Sequence, residues 1–271
     1  MREKKALNMA YKSLYGLIEL TKESQIYGGS LGHILTDIAK ILGKKNKTKK
    51  DYGSLAFQSP RIIRALIDYK NKNPDEKKFL KLLRDGIKIS LKIYKQYDNL
   101  RIRDEILNFK KEIIQLGYGN ILKIKLRQYF DPINPIASKP ELSRKAAKKL
   151  NKLVGSEKAI FLVIGHGAIG AGMDVFLRYQ DLNHGNNLLF YVVRFSRTKY
   201  KKYEDNSPQL TPDEIKYLQK QAIGRKIIIY DENSYTGKTF RETIKYISKN
   251  ISRSHKINIL YNINTSGLGN S

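Results

Sequence analysis

Residues 226–247 read KIIIYDENSYTGKTFRETIKYI, and this stretch decides how the C-terminal half of the chain is organised. Residues 227–231 are β-prone and precede a short polar loop, a pattern that predicts a buried strand. Beyond the loop, Phe240, Ile244 and Ile247 recur at the spacing of one helix face. The stretch therefore predicts a strand, a loop and a helix in direct succession.

The loop between the predicted strand and helix has the features of an anion site. The first turn of a helix leaves backbone amides without partners, and the helix dipole adds about 0.3–1 kcal/mol for a bound negative charge. Gly237 allows the backbone to approach such an anion closely. The acid pair Asp231-Glu232, at the carboxyl end of the strand, distinguishes this loop from an ordinary helix start.

The same residues resemble the phosphoribosyl pyrophosphate (PRPP) signature of type I phosphoribosyltransferases. That signature has a hydrophobic strand, two acids, three variable residues and Thr-Gly-x-Thr, and residues 227–239 fit it without a gap. The resemblance implies that the catalytic acids Asp231 and Glu232 hold the ribose hydroxyls, directly or through Mg²⁺-bound water. It also implies that the loop wraps the 5′-phosphate with Tyr235, Thr236, Gly237, Lys238 and Thr239. The family usually has Asp as its second acid, and Glu232 is one methylene longer.

A second loop follows an apolar run, AIFLVI at residues 159–164, of the kind that is buried in parallel sheets. In the family named above, a short glycine-containing loop after the first sheet strand binds pyrophosphate through its amides. The loop in the equivalent place is Gly165, His166, Gly167 and Ala168, with His166 either a ligand or a loop-surface residue. The next predicted strand, residues 188–195, leads into basic residues. The resemblance assigns the same pyrophosphate to Arg194, Arg197 and Lys199, and a solvated basic loop is the alternative.

Other interpretations compete for these two loops. Residues 165–170 also match GxGxxG, the dinucleotide fingerprint, but basic residues follow the next strand where NAD requires an acid, and Asp231 is left unexplained. Residues 237–239 look like the end of a P-loop, yet that motif needs a glycine where the chain has Glu232. A third interpretation treats the acids as a solvated strand end and TGKT as a simple cap.

Residues 1–117 are predicted to be helical. The patterns place helices at residues 5–22, from the Ser30 cap to Gly43, from Ser59-Pro60, after Asn73-Pro74, and at about residues 102–116. A short strand at residues 121–129 and a basic helix at residues 139–154 follow. The helix that ends at Gly43 and the helix predicted from Ser59 could be read as a helix-turn-helix, with Lys45, Lys47, Arg61 and Arg64 as its phosphate contacts. About fifteen residues separate these two helices, which is too many for that motif.

The chain is strongly basic, with a formal net charge of +27 over 271 residues. Residues 1–150 hold 34 basic and 15 acidic side chains, against 18 and 10 in the remainder. A positive field attracts polyanions, so DNA or RNA is a candidate partner of the front half. Lysine-rich usage throughout the chain is the alternative explanation.

Composition excludes several classes of protein. There is no cysteine, which rules out disulfides and thiolate metal sites, and four histidines give no indication of a zinc centre. No apolar run approaches 18 residues and the N-terminus lacks a signal-peptide core, so we expect a cytoplasmic protein with no membrane partner. We also expect a homo-oligomer.

Together these patterns predict an α/β protein with two parts. An all-α basic region at residues 1–117 precedes a parallel-sheet, Rossmann-like domain of phosphoribosyltransferase type at residues 118–271. The expected function is transfer of the phosphoribosyl group of PRPP, with Mg²⁺ as cofactor, to a nitrogenous acceptor that the sequence does not identify. The alternative is a non-catalytic regulator that senses PRPP or a nucleotide and binds nucleic acid.

Overall fold

A computed structural model describes residues 12–17, 27–73, 76, 79–128, 136–165, 167–183, 187–195, 208–234, 236–251 and 256–265. The helices in these ranges are α1 Leu31–Leu42, α2 Lys49–Lys72, α3 Phe79–Lys95, α4 Arg101–Gln115, α5 Pro140–Val154, α6 Ala168–Asn183, α7 Pro212–Ala222 and α8 Lys238–Asn250. The strands are β1 Tyr27–Ser30, β2 Lys125–Gln128, β3 Lys158–Gly165, β4 Leu188–Arg194, β5 Arg225–Ser234 and β6 Ile257–Asn264.

The larger sheet consists of four parallel strands in the order β4-β3-β5-β6. Its inner strands are apolar: every residue of β3 after Lys158 is buried, as are residues 227–230 of β5. Such runs are typical of parallel strands that are covered on both faces. The predicted mixed α/β class with a parallel sheet is thereby confirmed.

The strand order reverses between β3 and β5. From β3 the chain passes through α6 to β4 on one side, then through α7 to β5 on the other side of β3. The connections that leave β3 and β5 therefore diverge at one edge of the sheet, which opens a crevice outside the carboxyl ends of the strands. Gly165, Gly167 and Ala168 lie at this crevice, together with residues 231–234 and 236–239.

Strand β5 is longer than the sequence pattern predicts. It continues through the acid pair to Ser234 because β6 runs beside it, with Asp231 opposite Tyr261 and Ser234 opposite Asn264. On its other side β5 pairs with β3 only as far as Tyr230. At the acid pair, β5 therefore has a neighbouring strand, β6, on one side only. The loop after β3 adjoins the other side of β5 there.

The limits of α1 and α4 agree with the prediction. The Ser30 side chain accepts a hydrogen bond from the amide of His33, and α1 ends at Gly43. Helix α4 is followed by Gly117, whose φ of 85° is left-handed and suits glycine. Thr211 forms a capping box with Glu214 at the start of α7.

Helix α2 contradicts the prediction that a helix starts at Ser59-Pro60. It begins at Lys49, where Thr48 and Asp51 form a capping box, and it runs through Pro60 to Lys72. Proline at position 60 has no N–H to donate to the carbonyl of Ala56. The hydroxyl of Tyr94, on α3, donates to that carbonyl instead. A tertiary contact therefore keeps the helix continuous across a residue that usually begins one.

The observed ends of α1 and α2 give a different reason to reject a helix-turn-helix. The connection between α1 and α2 is residues 43–48, much shorter than the fifteen predicted, though still longer than the turn of that motif. Arg61 is 3% exposed, and Arg64 lies 3.7 Å from the carboxylate of Asp68. Lys47 likewise lies 3.6 Å from Asp98. Three of the four candidate phosphate contacts are therefore buried or paired, which is a stronger reason against the motif than length.

The front of the chain is not purely helical. Strand β1 pairs antiparallel with β2, which a 3₁₀ turn at Gly119–Lys123 precedes. Of the helix predicted at residues 5–22, the structure describes residues 12–17, which contain a 3₁₀ turn at Leu14–Gly16. The prediction of an all-α region is therefore not confirmed.

The helical region and the sheet share one continuous apolar core. A Cβ on Gly170 of α6 would lie 2.3 Å from the Tyr15 hydroxyl and 3.3 Å from Pro60, so the helical region packs tightly against α6. The division of the chain at residue 117 stays a prediction. None of the helices in the described ranges is both long and apolar enough to cross a bilayer.

Candidate functional site at the carboxyl edge of the sheet

The structure brings the two predicted loops into contact. A Cβ on Gly167, which follows β3, would lie 2.2 Å from Oε1 of Glu232 in β5. Any larger side chain at position 167 would therefore displace the Glu232 carboxylate. Because Gly167 is exposed and Glu232 half-buried, this contact lies at the surface of the crevice. The acid pair and the glycine loop, 65 positions apart in the sequence, form one site.

The acid pair is held in a poorly solvated position. The amide of Glu232 donates to Oδ1 of Asp231 over 3.0 Å. Burial raises the pKa of Asp231 above its ordinary value, although hydrogen bonds from the side chain and backbone of Glu232 oppose that rise. Desolvation disfavours the ionised carboxylate, so Asp231 gains from any cation or hydroxyl donor that a ligand brings.

Further acidic groups lie behind the pair. The hydroxyl of Tyr230 is fully buried and has no hydrogen-bond partner among the described residues. Burial raises the pKa of Tyr230 well above its usual value, and Glu232, Asp231 and Asp174 add to the rise. Asp174, on α6, accepts hydrogen bonds from Ser13 (2.6 Å) and Arg178 (2.9 Å). We call Tyr230, Asp231, Glu232 and Asp174 the acidic cluster.

The donor set of the crevice fits Mg²⁺ held jointly with a ligand. Magnesium prefers oxygen ligands, keeps several waters, and is usually bound through one or two carboxylates together with substrate phosphates. Asp231 and Glu232 provide the two carboxylates. In the described part of the chain, no three acidic or histidine side chains converge in a way that could hold a metal.

The loop before α8 is open to solvent, as an anion site requires. Gly237 precedes the helix with a left-handed φ of 66°, and no side chain caps the helix. The Thr236 hydroxyl accepts from the Lys238 amide (3.3 Å), and Arg241 donates to the Thr236 carbonyl (3.1 Å). Thr236 and Lys238 are exposed, whereas Phe240 is buried and anchors the helix.

The glycines of the GxGxxG match have packing roles. A Cβ on Gly165 would lie 3.2 Å from Val192, so this residue lets β3 and β4 approach. Gly170 contacts the helical region, and Gly172, outside the motif, is the glycine that packs on β3, where its Cβ would lie 2.7 Å from Val163. In the dinucleotide fingerprint the third motif glycine has that role. The glycine pattern is therefore explained without a dinucleotide.

Arg194 is buried against the helical region. It is 4% exposed, and its Nε lies 3.4 Å from Oδ1 of Asp68 on α2. A guanidinium that is buried and paired in this way links β4 to the helical region, and this pairing argues against the predicted role of Arg194 in binding pyrophosphate. His166, Arg197, Lys199 and Tyr235 lie outside the described residues.

Sequence reasoning missed the buried polar residues between the helices and the sheet. The Lys70 ammonium on α2 donates to Oε1 of Glu214 on α7, and the Tyr191 hydroxyl donates to the same oxygen over 2.7 Å. The amide and hydroxyl of Thr211 donate to Oε2. The one signal available was a polar residue inside an apolar run, such as Asp174 in AIGAGMDVFL.

Comparison with known proteins adds no assignment to this site. The sequence matches no protein-family model, and no curated protein matches it significantly.

Proposed function

We propose that the crevice binds PRPP, or a closely related phosphorylated ribose, with Mg²⁺, and that the protein transfers the phosphoribosyl group to a nitrogenous acceptor. The observation that carries the proposal is the contact between Glu232 and Gly167. It joins an acid pair suited to ribose hydroxyls with a glycine loop suited to pyrophosphate, at the reversal point of a parallel sheet. The expected phosphoribosyltransferase-like fold belongs to the same proposal.

Each part of the crevice has a task in this reaction. The loop at residues 236–239 binds the 5′-phosphate, which is remote from the reacting bond, and so orients the sugar. Asp231 and Glu232 accept hydrogen bonds from the ribose hydroxyls and sit near the positive charge that develops on the ribosyl ring. The loop amides at residues 165–168 face the departing pyrophosphate, where negative charge accumulates. Bound Mg²⁺ would neutralise part of that charge.

The bond changes balance without a further reactant. The bond from the anomeric carbon to the pyrophosphate oxygen breaks, and the oxygen keeps the electron pair. A nitrogen lone pair of the acceptor forms the new bond to the anomeric carbon. If that nitrogen carries a proton, the proton leaves to solvent.

Pyrophosphate release tests the proposal. The full chain is incubated with PRPP, Mg²⁺ and a panel of bases and nucleosides, and pyrophosphate is measured enzymatically. Asp231→Asn is expected to lower release about a hundredfold or more, because it removes a charge needed in the transition state. The matched control Asp37→Asn, an exposed acid on α1, should leave release unchanged. No release with any acceptor would contradict transfer.

A second candidate function is PRPP sensing without turnover. The observation that favours it is again Glu232, whose long side chain sets a carboxylate against the loop where pyrophosphate is expected. A negative group there opposes a bound anion unless a metal ion lies between them. A sensor would bind PRPP without consuming it, and PRPP would change its affinity for DNA or RNA in a salt-dependent way.

Glu232→Asp separates the two functions. The shorter side chain restores the usual second acid and withdraws the carboxylate from Gly167. An enzyme should keep or gain pyrophosphate release in this variant. A sensor should show no release in either form, together with a PRPP-dependent gel shift on nucleic acid.

A further inference from the structure

A cavity lies on the outer side of strand β4, away from the crevice. Its volume is about 340 Å³ and it opens to solvent. Strand β4 is an edge strand, and the cavity borders residues 188–191, near its amino end. Helices α3, α6 and α7 complete the walls. The apolar lining includes Ile87, Leu91, Phe176, Leu177, Leu188 and Tyr217.

The rim of this cavity is basic. Arg84, Lys88, Lys92 and Lys95 line it from α3, and all four are exposed. Their spacing places them along one face of the helix, where like charges three or four residues apart repel. An anion at the rim would relieve that repulsion.

Two of the rim cations are available to such an anion. Lys88 lies 3.3 Å from Asp85, and Lys92 lies 2.5 Å from Glu105. Among the described residues, Arg84 and Lys95 form no ion pair. The guanidinium carbon of Arg84 lies 4.8 Å from the ring centroid of Tyr217, so a cation–π contact holds this charge at the mouth of the cavity.

The lining limits the chemistry of the occupant. Among the described residues that line the cavity, Gln180 is the only one with an amide side chain. A nucleobase or sugar would need several buried polar partners and would lose hydrogen bonds here. The volume lies at the lower end of the range for small-molecule sites, about 300–1,000 Å³. An apolar body with one anionic end satisfies both the walls and the rim.

We propose that this cavity is a second binding site, for a small amphipathic carboxylate or phosphate ester. The apolar body lies against Phe176, Leu177 and Leu188, and the anionic group meets Arg84 at the mouth of the cavity, where Tyr217 holds the guanidinium. PRPP is polar throughout and does not suit these walls. The inference is therefore independent of the function proposed for the crevice.

Calorimetric titration of the full chain with three ten-carbon probes tests the site. Decanoate carries the anionic end, decan-1-ol is uncharged, and decyltrimethylammonium is cationic. We expect decanoate to bind at least tenfold more tightly than decan-1-ol, and the cation more weakly still. Equal binding of all three probes, or no binding of decanoate, would overturn the proposal.

Variants locate the binding. Arg84→Gln combined with Lys95→Gln should weaken decanoate binding at least tenfold and leave decan-1-ol unchanged. Lys145→Gln combined with Lys148→Gln removes the same charge from exposed positions on α5 and should change neither. Decanoate binding that falls equally in both double variants would reflect net charge alone and would overturn the site.

Leu91→Trp fills the cavity from α3, where Leu91 is half-buried. It should abolish binding of both decanoate and decan-1-ol while the circular dichroism spectrum and thermal transition remain those of a folded protein. Unchanged decanoate binding in a folded Leu91→Trp variant would place the ligand elsewhere. Binding of an acidic amphipathic helical peptide in place of decanoate would likewise overturn the proposal, in favour of a protein partner.

Discussion

Two clusters of ionisable groups adjoin the same sheet, and they differ in how completely their groups are paired. In the first, Glu214 receives hydrogen bonds from Lys70, Tyr191 and Thr211, so opposite charges meet and both carboxylate oxygens are satisfied. In the second, the acidic cluster of Tyr230, Asp231, Glu232 and Asp174, Arg178 pairs with Asp174, while burial raises the pKa of Tyr230 and Asp231.

The difference separates a structural role from a binding role. A complete buried pair holds the helical region to the sheet in one geometry and leaves little for a ligand to add. Neighbouring acidic groups that burial makes harder to ionise are unfavourable as charges in the free protein, and a cation or hydroxyl donor from a ligand offsets that cost, which is typical of functional sites. Breaking each cluster should therefore change stability in opposite directions.

The largest effect is expected from Lys70→Met. Glu214 would keep a buried negative charge without its cation, and the free energy of unfolding should fall by about 3–5 kcal/mol. Urea denaturation measures the change. Lys148→Met, on the exposed face of α5, is the control and should shift stability by less than about 0.5 kcal/mol. If Lys70→Met combined with Glu214→Gln is as unstable as the single variant, the pair is not the cause.

Tyr15→Phe should reveal a pH dependence. Burial raises the pKa of Tyr15 from 10.0 to about 12. The unfolded chain therefore loses this proton first, and the stability it contributes is complete below pH 10 and lost as the pH rises to 12. The loss should total roughly 2.7 kcal/mol, since each pKa unit corresponds to about 1.36 kcal/mol.

Urea denaturation between pH 8 and pH 11.5 checks this expectation. Near neutral pH, the free energy of unfolding of the variant should be about 1 kcal/mol lower, because the substitution removes the hydrogen bond between Tyr94 and Tyr15. Above pH 10, the stability of the variant should fall less than that of the native chain. Lysine titration affects both proteins alike. Parallel pH curves for the two proteins would contradict a raised Tyr15 pKa.

The smallest effect should be a gain, from Asp231→Asn. A raised pKa means that the folded state holds the proton more strongly than the unfolded chain, so ionised Asp231 destabilises the fold at neutral pH. At pH 7, the free energy of unfolding of the variant should be about 1 kcal/mol higher than that of the native chain. That gain should shrink as the pH falls through the folded pKa, because the native carboxyl then becomes protonated.

Thermal unfolding at pH 7 and pH 4.5 measures both parts of this expectation. Asp37→Asn, the exposed control, should change neither temperature. A loss of stability in Asp231→Asn would mean that the acidic cluster supports the fold, and the contrast between the two clusters would disappear.

Local patterns in the sequence predicted the elements that their own residues determine. The Ser30 cap and the apolar strands predicted at residues 159–164 and 188–195 follow from short-range chemistry, and the structure has them, with β4 ending at Arg194. Helix α2 was predicted wrongly because the partner of the Ala56 carbonyl is Tyr94, more than thirty positions away. No local pattern contains that contact.

The sequence likewise predicted some residues of the candidate site and missed others. Residue types and spacing indicated an anion site at Thr236 to Thr239 beside the acid pair, and the resemblance to phosphoribosyltransferases implied the role of the glycine loop. The pattern could not tell that Arg194 is buried against Asp68, because an exposed and a paired arginine at a strand end look the same in sequence. Nor could it place Asp174 behind the acid pair.

The sequence by itself determined a basic α/β chain without cysteine, and two loops that each follow an apolar strand. Only the tertiary structure decided that these loops touch through Gly167 and Glu232, and that an apolar cavity with a basic rim lies beside β4. The physical reason is that strand order and helix packing are set by contacts between distant residues. Spacing along the chain records those contacts only where they are local.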